Sequence, residues 1–173
     1  MLESTIDERK IIRKLFRAES ELKMSIGFLS DSLNYPSLWD KQSEIESVSF
    51  RIPENNGSFS CQMSADKIPN IALNTEINLK TEKGNIEKEC NEKQILVNQI
   101  EKFYSLLEDR YKSIFSYKYR KNLDNSKIIE KVFKETGIEY TIRTIQRDCA
   151  FIENLFFKVC FKNCRNLIYK YIK

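Results

Sequence analysis

A chain of 173 residues accommodates one domain, or two small ones on a shared helical spine. Its 41% hydrophobic and 31% charged residues are the proportions of a folded, water-soluble chain, and no stretch of 18 residues lacks a charge, which excludes a membrane-spanning helix. The complete absence of histidine excludes Ser-His and Cys-His nucleophile pairs, an imidazole general base and any His-ligated metal.

The net charge of +4 is unevenly spread: residues 110–173 carry +9 and residues 1–109 carry −5. A basic end joined to a mildly acidic remainder suits a polyanion-binding module beside a partner-facing one, although lysine-rich helices also serve simply as solvated surface. Four Gly and three Pro leave few chain breakers, which favours long helices over a turn-rich sheet. The five cysteines lack CxxC spacing and read as free thiols of a cytoplasmic protein. The polar Met1–Lys10 segment, with Glu3, Asp7 and Glu8, predicts no signal peptide. Neither a Gly-rich phosphate loop nor a spaced carboxylate triad is present, so neither an enzyme nor a cofactor is expected.

In chain order, Ile6, Ile11, Ile12, Leu15, Phe16, Leu22, Ile26, Leu29 and Leu33 recur mostly at three- and four-residue steps. They predict one amphipathic helix ending before Pro36. Trp39, Ile45 and Val48 allow a short second helix, and Pro53, Asn55, Asn56 and Gly57 mark a loop over 50–63. Ser64 offers an N-cap, Asp66 and Pro69 suit a first turn, and the apolar positions from Ile71 to Leu107 predict a long helix through about residue 108, bent at Gly84. Its weakly apolar Thr81–Glu92 stretch fits an exposed connector equally well. The chain thus divides into an N-terminal helical region over 1–63, a long connecting helix over 64–108 and a basic domain over 109–173.

In that last third, Arg110 to Lys121 forms a short aromatic helix whose Tyr111, Phe115 and Tyr119 face the core. Asn122 to Asn125 breaks it, and Asp124 or Ser126 caps the next helix, with Ile128, Ile129, Val132 and Phe133 inward. Gly137 is placed to take a left-handed conformation and end that helix. Ile138 follows as an apolar plug, and Thr141 caps a second helix by accepting amide bonds near Thr144. On that second helix Ile145, Cys149, Ile152 and Phe156 share one face within about 60° at 100° per residue. Arg143, Arg147, Ala150 and Asn154 take the opposite face, with Gln146 beside them. The tail stays apolar at helical spacing through Phe156, Val159, Leu167 and Ile168. The run Phe151 to Phe161, with Phe151, Phe156, Phe157 and Phe161, is apolar on more than one side, which predicts packing on the N-terminal helices or on a second subunit in a homodimer. Cys160 and Cys164 read as two small residues on a helix.

The whole is therefore an all-α fold closing in a helix-turn-helix with an extended last helix. A recognition helix buries one face on its partner and offers Arg, Gln or Thr to base edges from its N-terminal turns. Arg grips guanine and Gln adenine through paired hydrogen bonds, whereas Lys and hydroxyl groups hold phosphates. On this reading Arg143, Gln146 and Arg147 contact double-stranded DNA bases, and Thr141, Thr144, Lys118, Arg120 and Lys121 contact its backbone. A plain helical hairpin in an all-α domain accounts for the same spacing.

The order of these features resembles the sigma-factor-region-four-like late-gene activators of phage and prophage, of the RinA and ArpU types. The resemblance runs through Tyr35-Pro36, Glu44-Ile45, the Pro53, Asn56 and Gly57 loop, and Ser64 with Ala72. It continues through Ile100, Leu106-Leu107, Arg110 and Tyr119, and closes on Arg143-Thr144 and Arg147. It implies a transcription regulator that binds promoter or operator DNA in the cytoplasm alongside RNA polymerase, with Arg143, Thr144 and Arg147 opening the recognition helix. The turn from Gly137 to Tyr140 is longer than in that family, and residues 156–173 extend beyond the shared region. A ring-forming small terminase subunit would share the motif. A helical adaptor that binds only protein would use the basic half as plain surface, and a carboxylate-based nuclease would need an acidic cluster that the basic helix lacks.

Overall fold

The computed structural model describes residues 5–34 and 67–172. The expected Trp39 helix, the 50–63 loop, the Ser64 cap and Cys61 lie outside them. The fold is all-α, with no strand among the described residues. Helices α1 (Ile6–Arg17), α2 (Glu19–Asn34) and α3 (Lys67–Leu106) come first. Then follow α4 (Asp109–Phe115) with a π-helical turn at Ser116–Arg120, α5 (Asn125–Thr136), and α6 (Ile142–Phe156), which passes through a second π-helical turn, Phe157–Phe161, into α7 (Lys162–Tyr171).

The described residues form two units, one of 5–26 with 91–172 and the other of 27–34 with 67–90. This boundary differs from the sequence-based division at 63 and 108. The reason lies in α1, whose Ile12, Leu15 and Phe16 are completely buried and so need apolar cover. They find it on residues that follow Asn91. Phe16 stands at the centre, its ring edge-on to Phe115 at 4.8 Å, Phe156 at 4.9 Å and Tyr119 at 5.0 Å, and stacked on Phe103 at 5.9 Å. Such edge-to-face pairs add roughly 0.5–1.5 kcal/mol each beyond the area they bury.

The single N-terminal helix expected from sequence is two. It breaks at Ala18, where ψ is −1°, and the six-residue step from Phe16 to Leu22 is the sequence trace of that break. The break turns the Glu19 carboxylate into the protein, where Arg120 clasps it through Nε and Nη2, each at 2.9 Å. At its other end α1 carries a full capping box: Thr5 Oγ1 accepts the Glu8 amide, and the Glu8 carboxylate accepts the Thr5 amide. In the second unit, α3 runs through Gly84 without interruption, and Pro69 falls in its first turn as expected.

Among the described residues three charged ones are buried, Glu19, Asp148 and Glu153, and each is bound by an arginine: Arg120, Arg110 and Arg13 respectively. Among the described residues, no buried side-chain polar atom lacks a hydrogen-bond partner. Pairing of this kind is what makes a buried charge tolerable, since an uncompensated one costs several kcal/mol.

Candidate nucleic-acid interface

The α5–α6 pair is built by local signals. Asp124 caps α5, accepting the Lys127 amide at 2.9 Å. Gly137 ends α5 at φ 68°, donating its amide to Phe133 O at 2.8 Å. A β-carbon at Gly137 would meet nothing within 4 Å, so the backbone angle, not space, requires glycine there. Thr141 caps α6: its Oγ1 accepts the Thr144 amide at 3.1 Å and meets the Thr144 hydroxyl at 2.9 Å. The stripe of Ile145, Cys149, Ile152 and Phe156 is buried as its spacing requires.

Two expected core positions of this pair are instead exposed. Ile138 is 57% accessible and plugs nothing; Tyr140, two residues on, packs on the core, with the Arg110 guanidinium 5.2 Å from its ring centre. Phe133 is 46% accessible, because Ile128 and Val132, one turn apart, already define the buried face of α5 and Phe133 sits about 100° round from Val132. Tyr111, Phe115 and Tyr119 face the core as expected, with Tyr111 only half-buried, and the π-helical turn brings Tyr117 inside as well.

The outward face of α6 carries Arg143, Gln146 and Arg147, all exposed. Among the described residues none of the three has a hydrogen-bond or ion-pair partner. The first turn of α6 contains no acidic residue and does contain Arg143, whereas α1 places Asp7 and Glu8 in its first turn. A cation there opposes the positive end of the helix dipole, by roughly 0.3–1 kcal/mol, and an external anion would relieve it. Thr144 is half-buried, and its backbone amide is taken by Thr141.

Each flank of this face is closed by a clasped carboxylate. On one side Arg110 of α4 binds Asp148 through Nε and Nη2. On the other, Arg13 of α1 binds both oxygens of Glu153 at 2.6 and 3.0 Å, and Tyr119 donates its hydroxyl to the same carboxylate at 2.8 Å. These hydrogen bonds hold the Arg13 and Arg110 guanidinium groups above their ordinary pKa, so their charges are fixed. Burial pushes the Tyr119 hydroxyl and the Cys149 thiol up, so both remain protonated at neutral pH. Beside Glu153 lies a cleft of about 440 Å³ lined by Arg13, Arg17, Lys118, Asn125, Gln146 and Glu153.

The three basic residues expected as backbone contacts on the aromatic helix separate. Lys118 donates to Asn125 Oδ1 at 2.7 Å inside this cleft. Lys121 is exposed, with its ammonium 4.8 Å from the Tyr117 ring centre. Arg120 is held by Glu19 and lies 4.2 Å from the Tyr104 ring centre, so its charge is neutralised within the fold. Arg13 and Arg17 were not apparent as site residues from sequence. Their i, i+4 spacing on α1 is the only trace, because what matters is the distant helix that α1 packs against.

No family model, curated protein or solved structure matches this chain. No helix among the described residues is long and apolar enough to cross a membrane.

Proposed function

We propose that the α5–α6 pair is a helix-turn-helix that reads double-stranded DNA, and that the protein is a transcription regulator of the phage late-gene activator kind its motif order resembles. One observation carries the reading. The buried arginine-carboxylate pairs use Arg13, Arg110 and Arg120, whereas Arg143 and Arg147 stand outward beside Gln146 at the start of a capped amphipathic helix, without partners among the described residues. An arginine pair with no partner among the described residues, one member of which opposes the dipole of its own helix, suits an anionic partner outside the fold. Arg143, Gln146 and Arg147 take the base edges, and Thr141, Thr144, Lys118 and Lys121 the sugar-phosphate backbone. Arg120 leaves that set, because Glu19 holds it.

The test is duplex binding by the whole chain across a salt series, followed by recovery of preferred sequences from a random pool. Binding must weaken steeply with salt, since each phosphate contact releases counterions. Replacing Arg143 or Arg147 with Ala is expected to cost about 1–3 kcal/mol on the preferred sequence and to relax the preference, without lowering the melting temperature. No retention on DNA at low salt would sink the reading in favour of a protein-binding adaptor. A ring of eight or more subunits in native mass spectrometry would favour a packaging subunit.

A further inference from the structure

The cleft beside Glu153 is lined by eight residues, and six of them set its charge balance, since Tyr119 and Cys149 stay protonated. Arg13, Arg17 and Lys118 are cations, Asn125 and Gln146 are amides, and Glu153 is the one carboxylate among them. Glu153 is 1% accessible and already takes both Arg13 bonds and the Tyr119 hydroxyl, so its charge is satisfied from within. Arg17 is exposed and has no partner among the described residues. The cleft therefore presents an excess of positive charge together with amide donors, which is the chemistry of a site for one phosphate group.

Its position gives the phosphate a source. Going round α6 at about 100° per residue, Gln146 lies about 60° from Arg143 on one side and Arg147 about 40° on the other. Gln146 is thus both part of the outward face and a wall of the cleft. A strand whose bases met Arg143 and Arg147 would carry its backbone past Gln146 towards Arg17.

We propose that this cleft between α1 and α6 holds a backbone phosphate of the same duplex, with Arg17 as its principal contact and Lys118 as its second. The proposal rests on the DNA-binding reading and deepens it: α1, at the far end of the sequence, becomes part of the interface as well as of the core. A contact of this kind adds affinity without sequence preference.

The experiment compares the whole chain with its Arg17→Ala and Arg17→Lys variants on the preferred duplex and on a random duplex, each across a salt series. For Arg17→Ala, affinity is expected to fall roughly 3–10-fold equally on both duplexes, and the slope of log K against log salt to shrink by about 1. Arg17→Lys should keep the slope, and all three proteins should melt within a few degrees of one another, because Arg17 is exposed and has no partner among the described residues. An unchanged slope in Arg17→Ala, with the wild-type chain still binding DNA, overturns the phosphate site and leaves the recognition helix standing. Wild-type binding that ignores salt overturns both. Stabilisation of the wild-type protein, but not of Arg17→Ala, by inorganic phosphate, with no change in DNA slope, overturns the proposal in favour of a small-anion pocket.

Discussion

Tyr119 and Glu153 share a hydrogen bond of 2.8 Å inside the core, between the π-helical turn after α4 and the last turn of α6. The same carboxylate binds Arg13 of α1, so one side chain joins three elements. Glu153→Ala would remove the carboxylate that accepts from the buried Tyr119 hydroxyl and release Arg13, which is half-exposed and can rehydrate. The expected loss in a urea melt is about 2–3 kcal/mol, below the full penalty for an orphaned buried charge. Glu153→Gln, which keeps an acceptor for Tyr119, is expected to lose less. Equal losses in the two variants would show that the Tyr119 bond is not what matters.

Two glycines should respond to alanine with opposite signs. Gly137 has φ 68°, where an L side chain is strained, so Gly137→Ala is expected to destabilise by about 1–2 kcal/mol. Gly84 lies within α3 with open space around it, and Gly84→Ala is expected to stabilise by roughly 0.5–1 kcal/mol. Thermal melts of both variants check this, and a stabilising Gly137→Ala would contradict the left-handed helix end.

Stability should decline in alkali. Burial raises the Cys149, Cys160 and Tyr119 groups above their ordinary values and pushes Cys164 up to about 11. Above about pH 8.5 the unfolded chain begins to lose thiol protons that the folded one keeps, and Tyr119 adds to the effect above about pH 10. The unfolded state then binds fewer protons, so the free energy of unfolding falls as pH rises. Below about pH 8 these groups are protonated in both states and contribute no slope. Urea midpoints between pH 7 and 11 test this, and Cys164→Ala should flatten the decline between about pH 9 and 11.

What the sequence revealed follows the range of the forces involved. The caps at Asp124 and Thr141, the left-handed Gly137 and the buried stripe from Ile145 to Phe156 depend on neighbours within one or two turns, and spacing alone identifies them. The pairing of Arg120 with Glu19 does not, because 101 positions separate the two, and so Arg120 read as a free cation. The same holds for Arg17, whose cleft is completed by residues from the π-helical turn onward. The π-helical turns at Ser116 and Phe157 escaped for a different reason: their residues still read as helical, and the change in winding leaves no compositional mark. Ile138 and Phe133 show the limit of hydrophobicity as a guide, since apolar residues next to a turn need not face inward.

The clasp between Arg13 and Glu153 closes over 140 positions. At the usual pace of 5–20 residues per second, a ribosome needs about 7–28 s to pass from one to the other. Throughout that interval Ile12, Leu15 and Phe16 have been synthesised while part of their cover, Phe156 of α6, has not. The nascent chain therefore carries an incompletely covered greasy stripe, a natural target for chaperones that bind emerging polypeptides, and native assembly must await the arrival of α6.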